Sequence, residues 1–122
     1  MSLLSNQAIE FRHAYGILNS LSGRTRQRNL IVEEFKEFLE ADQNMILMHP
    51  QDREACLKEL ADLVYVCAQY AENMDWDLEQ ALRRVHKSNM SKLGEDGKPI
   101  KREDGKVLKG PNYQPPDLSD LV

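Results

Sequence analysis

Residues 30–41 read LIVEEFKEFLEA, and this stretch decides the fold because its apolar residues recur at helical spacing. Glu33 falls on the wet face of a wheel drawn at about 100° per residue, whereas Glu34 and Glu37 lie one turn apart at the edge of the apolar arc. Like charges at that spacing repel, so the pair needs a counter-charge or water. The apolar arc consists of Ile31, Val32, Phe35, Phe38 and Leu39.

A second segment, KELADLVYVCAQYA at residues 58–71, repeats this geometry. Glu59 and Asp62 are again three residues apart, and Asp62 is the only charged residue between Leu60 and Ala71. A helix that is apolar almost all round is buried, and a lone buried carboxylate is costly unless it is paired or binds a metal. The sequence therefore predicts a buried helix in which Asp62 has a partner. Aromatic side chains are predicted to lie in the core by default; they are Phe38, Tyr65, Tyr70 and Trp76.

Two antiparallel helices joined by a loop would bring these pairs together as a cluster of four carboxylates. Oxygen ligands without His or Cys select hard cations such as Mg²⁺ or Mn²⁺. Such a cation takes its remaining ligands from water and substrate phosphates, which implies metal-assisted attack of water on a phosphate chain. The competing interpretation is a solvated face with ordinary charge pairs, in which Lys36 or Lys58 pairs with neighbouring glutamates.

The remaining pattern predicts an all-α protein, a small four-helix up-down bundle with a C-terminal β-hairpin and extended arm. Pro50 marks the break between the second and third helices. Asp104-Gly105, between IKR and KVL, is typical of a hairpin turn. The predicted helices are 6–20, a second one that follows the polar link SGRTRQR (22–28) and runs to about Asp42, 51–73, and Asp77–Lys92. Residues 1–93 are predicted to form a helical domain, and residues 94–122 the hairpin and arm of the same domain.

Composition narrows the class of protein. The chain has 122 residues and a net charge of −4, so its overall electrostatic field does not favour binding to nucleic acid or to an anionic membrane.

Cys56 and Cys67 are eleven residues apart on one predicted helix, which is too far for a disulfide within that helix, and free thiols are typical of a reducing compartment. No segment approaches a membrane span or a signal peptide. We expect a cytoplasmic protein, and wide apolar arcs on a short chain indicate a homodimer or homotetramer.

The acidic pattern resembles a known family. EEFKE at Glu33–Glu37 and ELAD at Glu59–Asp62, with twenty-one residues between them, are similar to the EExxE…ExxD signature of the MazG-like all-α nucleoside triphosphate pyrophosphohydrolases. This superfamily includes dimeric dUTPases, dCTP pyrophosphatases and phosphoribosyl-ATP pyrophosphohydrolase. The phrase ADLVYV, the first-helix segment EFRHAYG and the run from Val85 to Leu118 resemble small bacterial and phage-encoded members. If the protein is phage-encoded, its compartment would be the host cytoplasm.

The resemblance implies roles for individual residues. Glu33 would orient or deprotonate the attacking water as the catalytic residue. His13 lies in the segment that helps to form the base pocket in relatives, although FRHAYG departs from the FHEAFG expected there. Metal ligands would be Glu34, Glu37, Glu59 and Asp62, and phosphate contacts would be Lys87, Asn89 and Lys92.

The predicted function is metal-dependent hydrolysis of a (d)NTP to (d)NMP and pyrophosphate, controlling a nucleotide pool, with dGTP, dUTP and dCTP as candidate substrates. The alternative is a non-catalytic helical scaffold or regulator with a structural cation site. A third class, the di-iron carboxylate proteins, uses ExxH pairs. Glu10 and His13 form one such pair, and the sequence lacks the second.

Overall fold

A computed structural model describes residues 3–122. About 62% of the chain is helical, so the all-α prediction is confirmed. No helix in the described residues is long and apolar enough to cross a membrane. The elements in chain order are α1 (Leu3–Ala14), α2 (Gly23–Asn44), α3 (Pro50–Asn73), α4 (Leu78–Met90), β1 (Ile100–Lys101), β2 (Val107–Leu108) and a 3₁₀ turn at Ser119–Leu121.

The chain forms two compact units, one up to Asp77 and one from Leu78 to Val122. In the first unit, α1 and α2 both pack against α3. The short connection at residues 45–49 makes α2 and α3 antiparallel neighbours. Pro50 opens α3 at a position where its missing N–H costs nothing. The predicted break between these helices is therefore confirmed.

The end of α1 differs from the prediction of a helix to residue 20, because the chain turns at Gly16. Gly16 adopts the left-handed conformation with φ +64°. Its N–H donates to the His13 carbonyl at 3.3 Å, and the Ile17 N–H donates to the Arg12 carbonyl at 2.9 Å. This pair of bonds is the Schellman arrangement that ends a helix at a glycine. The connection is thus residues 15–22, and most of SGRTRQR, predicted as a link, belongs to the first turns of α2.

A buried polar network fixes this connection on α3. Asn73 accepts a hydrogen bond from the Ser20 N–H at 3.1 Å and donates one to the Ser20 carbonyl at 2.8 Å. The Arg12 guanidinium, only 3% exposed, donates to Asn73 at 2.9 Å, Asn19 at 2.7 Å and Gln69 at 3.3 Å. Burial lowers the pKa of Arg12, and the charge of Glu72 partly offsets that effect. The start of α2 is therefore tied to the end of α3.

The core of the described residues is small. Its buried apolar side chains are Ala8, Ala68 and Ala71. Leu60 and Val64 are exposed, so the prediction that α3 is buried all round is wrong for the single chain, which has too few helices to cover it. Tyr65 packs edge-on against Phe11, with ring centroids 5.6 Å apart, and keeps 37% of its surface exposed. Trp76 is also 37% exposed, so neither residue is the core side chain that was predicted.

The second unit holds α4, the hairpin and the C-terminal segment. The hairpin is confirmed, with Ile100 opposite Leu108 and Gly105 at φ +88° in its turn. The C-terminal segment returns to α4, where Ser88 donates to the Gln114 carbonyl at 2.7 Å and Arg84 forms an ion pair with Asp120. The arm after the hairpin is thus held by the helix that precedes it.

Candidate metal centre

Three carboxylates from the two antiparallel helices meet on one side of the first unit. They belong to Glu34 of α2 and to Glu59 and Asp62 of α3. One oxygen of each lies within 4.8 Å of the others. All three residues are half-buried. Glu59 and Asp62 are one turn apart on α3, and Glu34 of α2 meets them, as the spacing of the acidic residues in the sequence predicts.

Two of these carboxylates have oxygens without a hydrogen-bond partner. Among the described residues, Oε2 of Glu34 and Oε2 of Glu59 are buried and unpartnered. Burial raises the pKa of Glu34, and the neighbouring Glu37, Asp62 and Glu59 raise it further. A buried acceptor with no donor is costly, so the cluster is poised for a cation.

Lys58 supplies part of the counter-charge. Its ammonium lies 2.6 Å from Asp62 and 3.5 Å from Glu59, and its side chain is 65% exposed. The carboxylates, first of all Asp62, raise the pKa of Lys58. Asp62 therefore has the partner that its apolar surroundings predicted, although the residue is less buried than expected. A flexible, exposed ammonium leaves the two unpartnered oxygens of the cluster unsatisfied.

Glu37 and Glu33 flank the cluster on α2. Glu37 is exposed and lies close enough to Glu34 to raise its pKa, but it is outside the group of three. Glu33 is exposed, as its position on the helical wheel predicted. Glu33 is thus adjacent in sequence to a cluster carboxylate and open to solvent.

The other predicted site residues belong to other elements of the chain. His13 is exposed in the last turn of α1. Lys87 and Asn89 are exposed on the last turns of α4, and Lys92 follows that helix half-buried. These three belong to the second unit.

Sequence reasoning missed two features of the first unit. Arg12 was not predicted to be buried, because its partners come from the α1–α2 connection and from α3. A cavity lined by Glu10, Phe11, Tyr15 and Tyr65 was also not predicted. The sequence signal that could have indicated this cavity is the helical spacing of residues 7, 10, 11 and 14, which places them on one face of α1; in the structure they line the cavity together with Tyr65.

The donor set fits a hard divalent cation. It contains only carboxylate oxygens, and two of them lack any other partner within residues 3–122. Mg²⁺ and Mn²⁺ prefer such ligands, and they retain positions for water and phosphate oxygens. A cation held by these carboxylates would therefore have positions left with which to bind a phosphate chain.

Comparison with known families agrees with the geometry. Residues 14–89 match the family model described as phosphoribosyl-ATP pyrophosphohydrolase, so the chain belongs to this family. It lies within the MazG-like all-α superfamily. Membership of this family supports pyrophosphohydrolase activity on a nucleotide triphosphate. Members of the family typically depend on a divalent metal ion. No curated protein matches the chain. The match includes every residue of the cluster; it begins after His13 and ends before Lys92.

Proposed function

We propose that the protein is a metal-dependent (d)NTP pyrophosphohydrolase that releases pyrophosphate and a nucleoside monophosphate and so controls a nucleotide pool. The observation that carries this proposal is the meeting of Glu34, Glu59 and Asp62, with two buried oxygens left unpartnered. Family membership supports the reaction class. The candidate substrates are dGTP, dUTP and dCTP.

In this proposal, the acidic residues of α2 and α3 bind the metal ion and handle the attacking water. Glu34, Glu59 and Asp62, with Glu37 beside them, would hold Mg²⁺ or Mn²⁺. When bound, the cation would neutralise phosphate charge and lower the pKa of water. Glu33, exposed beside the cluster, orients the water and accepts its proton as the oxygen attacks the α-phosphorus. The bond from that phosphorus to the bridging oxygen breaks, and pyrophosphate leaves.

Basic and amide side chains at and after the end of α4 would stabilise charge on the phosphates. Lys87 and Lys92 supply ammonium groups, and Asn89 supplies an amide donor. His13, exposed in the last turn of α1, would contact the substrate. Charge reversal tests the assignment: Lys87→Glu should raise KM for the triphosphate, whereas the exposed lysine of the hairpin turn, changed as Lys106→Glu, should not.

A hydrolysis screen tests the reaction. Each canonical (d)NTP is incubated with the protein and Mg²⁺ or Mn²⁺, and products are separated by ion-exchange chromatography. Pyrophosphate and monophosphate are expected, and release of orthophosphate with diphosphate would contradict the proposal. Asp62→Asn should abolish turnover, whereas Asp42→Asn, at an exposed position near the end of α2, should preserve it.

We also propose that two copies associate through α2 and α3. Each helix exposes apolar side chains at positions i, i+3 and i+7, each between 39% and 66% exposed. Monomeric soluble proteins rarely expose large contiguous apolar patches. The residues are Val32, Phe35 and Leu39 on α2, and Leu57, Leu60 and Val64 on α3. Light scattering after gel filtration should give at least twice the 14.1 kDa chain mass, and Phe35→Glu should reduce it.

The second candidate function is a scaffold or regulator without catalysis. The contact between Lys58 and Asp62 favours it, since an ion pair gives the carboxylate a partner without any metal. Calorimetric titration with Mn²⁺ discriminates the two. Absence of binding at millimolar metal, with and without triphosphate, would support the scaffold.

A further inference from the structure

A cavity of about 320 Å³ lies between α1 and α3. This volume is at the lower end of the range for small-molecule pockets, about 300–1,000 Å³. Its walls combine three aromatic rings with two polar side chains and one alanine: Phe11, Tyr15, Tyr65, Gln7, Glu10 and Ala14.

The aromatic rings present an open stacking surface. Tyr15 is 71% exposed and rests against Phe11, with ring centroids 4.7 Å apart. Phe11 in turn meets Tyr65 edge to face at 5.6 Å. Phe11 therefore contacts a tyrosine ring on each side, and both tyrosines remain exposed to solvent. Nucleobases stack on aromatic side chains of this kind regardless of sequence.

The cavity is next to the carboxylate cluster along α3. Tyr65 follows Asp62 by three residues, which places the two side chains one turn apart, with about 5–6 Å between their Cβ atoms. A nucleotide whose phosphates meet the cluster therefore has an aromatic cavity beside it. The cavity and the cluster belong to the same compact unit.

Glu10 is the charged group of the cavity. It is exposed, and no ion pair engages its carboxylate within residues 3–122. An ionised carboxylate only accepts hydrogen bonds, at two oxygens. It is complementary to a base edge with two adjacent N–H donors, and it repels an edge of carbonyl oxygens. Guanine has this edge in its ring N–H and its 2-amino group.

We propose that this cavity holds the base of the substrate and that Glu10 selects guanine, so that dGTP or GTP is the preferred substrate. The inference rests on the proposed hydrolase function. The tyrosines supply stacking that any base can use, and Glu10 supplies the discrimination. Hypoxanthine keeps the ring N–H and lacks the 2-amino group, so dITP isolates the contribution of that group.

The test compares kcat/KM for dGTP and dITP in the full-length protein. We expect dGTP to be favoured by about 10- to 100-fold, since a hydrogen bond to a charged group is lost with the 2-amino group. Glu10→Gln should bring the ratio close to one. The control Glu54→Gln, an exposed glutamate near the start of α3, should leave it unchanged. Tyr15→Leu should lower kcat/KM for all bases by a similar factor, about 5- to 100-fold.

The outcomes separate the inference from the function. Pyrophosphate release that is as fast from dITP as from dGTP, or a ratio that Glu10→Gln does not change, overturns the guanine assignment and leaves the hydrolase intact. If no triphosphate is cleaved, calorimetric titration with dGMP and dIMP still tests the cavity. Tighter binding of dGMP that is lost in Glu10→Gln supports it, and equal binding refutes it.

Discussion

Glu34→Gln should stabilise the metal-free protein while removing its response to metal. Glu34 lies with Glu59 and Asp62 in a group whose oxygens are within 4.8 Å of one another. Only part of this charge is offset, because Lys58 contacts the two α3 carboxylates and no described cation contacts Glu34. Glutamine keeps the size of the side chain and removes its charge.

The Coulomb energy sets the size of the effect. Two unit charges 4.8 Å apart repel by about 3.5 kcal/mol at an effective dielectric of about 20 and by about 1 kcal/mol in bulk water. Because the site is half-buried and Lys58 screens Glu59 and Asp62, we expect a gain of about 1–3 kcal/mol. For a chain of this length that gain raises the melting temperature by about 4–12 °C.

The assay is thermal unfolding followed by circular dichroism, with EDTA or with Mn²⁺. In EDTA the variant should melt above the wild type. With Mn²⁺ at one hundred times its dissociation constant the wild type gains about 2.7 kcal/mol, and the variant should gain much less. Glu33→Gln is the matched control and should change neither result. A variant that melts below the wild type in EDTA, or that responds fully to Mn²⁺, would refute the reasoning.

Three further predictions follow from individual contacts. Because the pKa of Glu34 is raised in the folded state, the free energy of unfolding of the metal-free protein should fall as the pH rises from the ordinary glutamate pKa through the raised one. In urea titrations, the stability advantage of Glu34→Gln should therefore vanish near pH 4, where Glu34 is protonated. Lys58→Met should tighten Mn²⁺ binding severalfold in calorimetry, since the ammonium at Asp62 no longer has to be displaced. Gly23→Ala should cost about 1–3 kcal/mol in urea unfolding, because its Cβ would lie 2.9 Å from Oδ1 of Asn73; an unchanged midpoint would contradict it.

The helices were predictable where local signals agreed. Pro50 marked the start of α3, and Asp104-Gly105 marked the hairpin turn. The end of α1 was misplaced because apolar spacing continues through Leu18, whereas Gly16 ends the helix by its backbone conformation. A single sequence does not distinguish a glycine in the left-handed conformation from a glycine inside a helix. The apolar spacing therefore predicted a helix that continues past Gly16.

The cluster was predictable because two pairs of carboxylates, each with spacing i, i+3, lie on consecutive antiparallel helices that pack against each other. The sequence does not show which members meet, since that depends on how α2 is seated on α3. Glu37 is outside the group of three for this reason. The burial of Arg12 was equally hidden, because it requires Asn19, Gln69 and Asn73 to converge from separate segments.

The polar network and the carboxylate cluster act on the same pair of helices. Repulsion within the cluster favours separation of α2 from α3, whereas Asn73 binds both backbone groups of Ser20 and holds the start of α2 against the end of α3. This contact opposes sliding of α2 along α3, so Glu34 stays level with Asp62 before any cation binds. A site assembled in advance spares a ligand the cost of ordering it. Disturbing the network at Gly23 should therefore weaken Mn²⁺ binding as well as folding, although no metal ligand is changed.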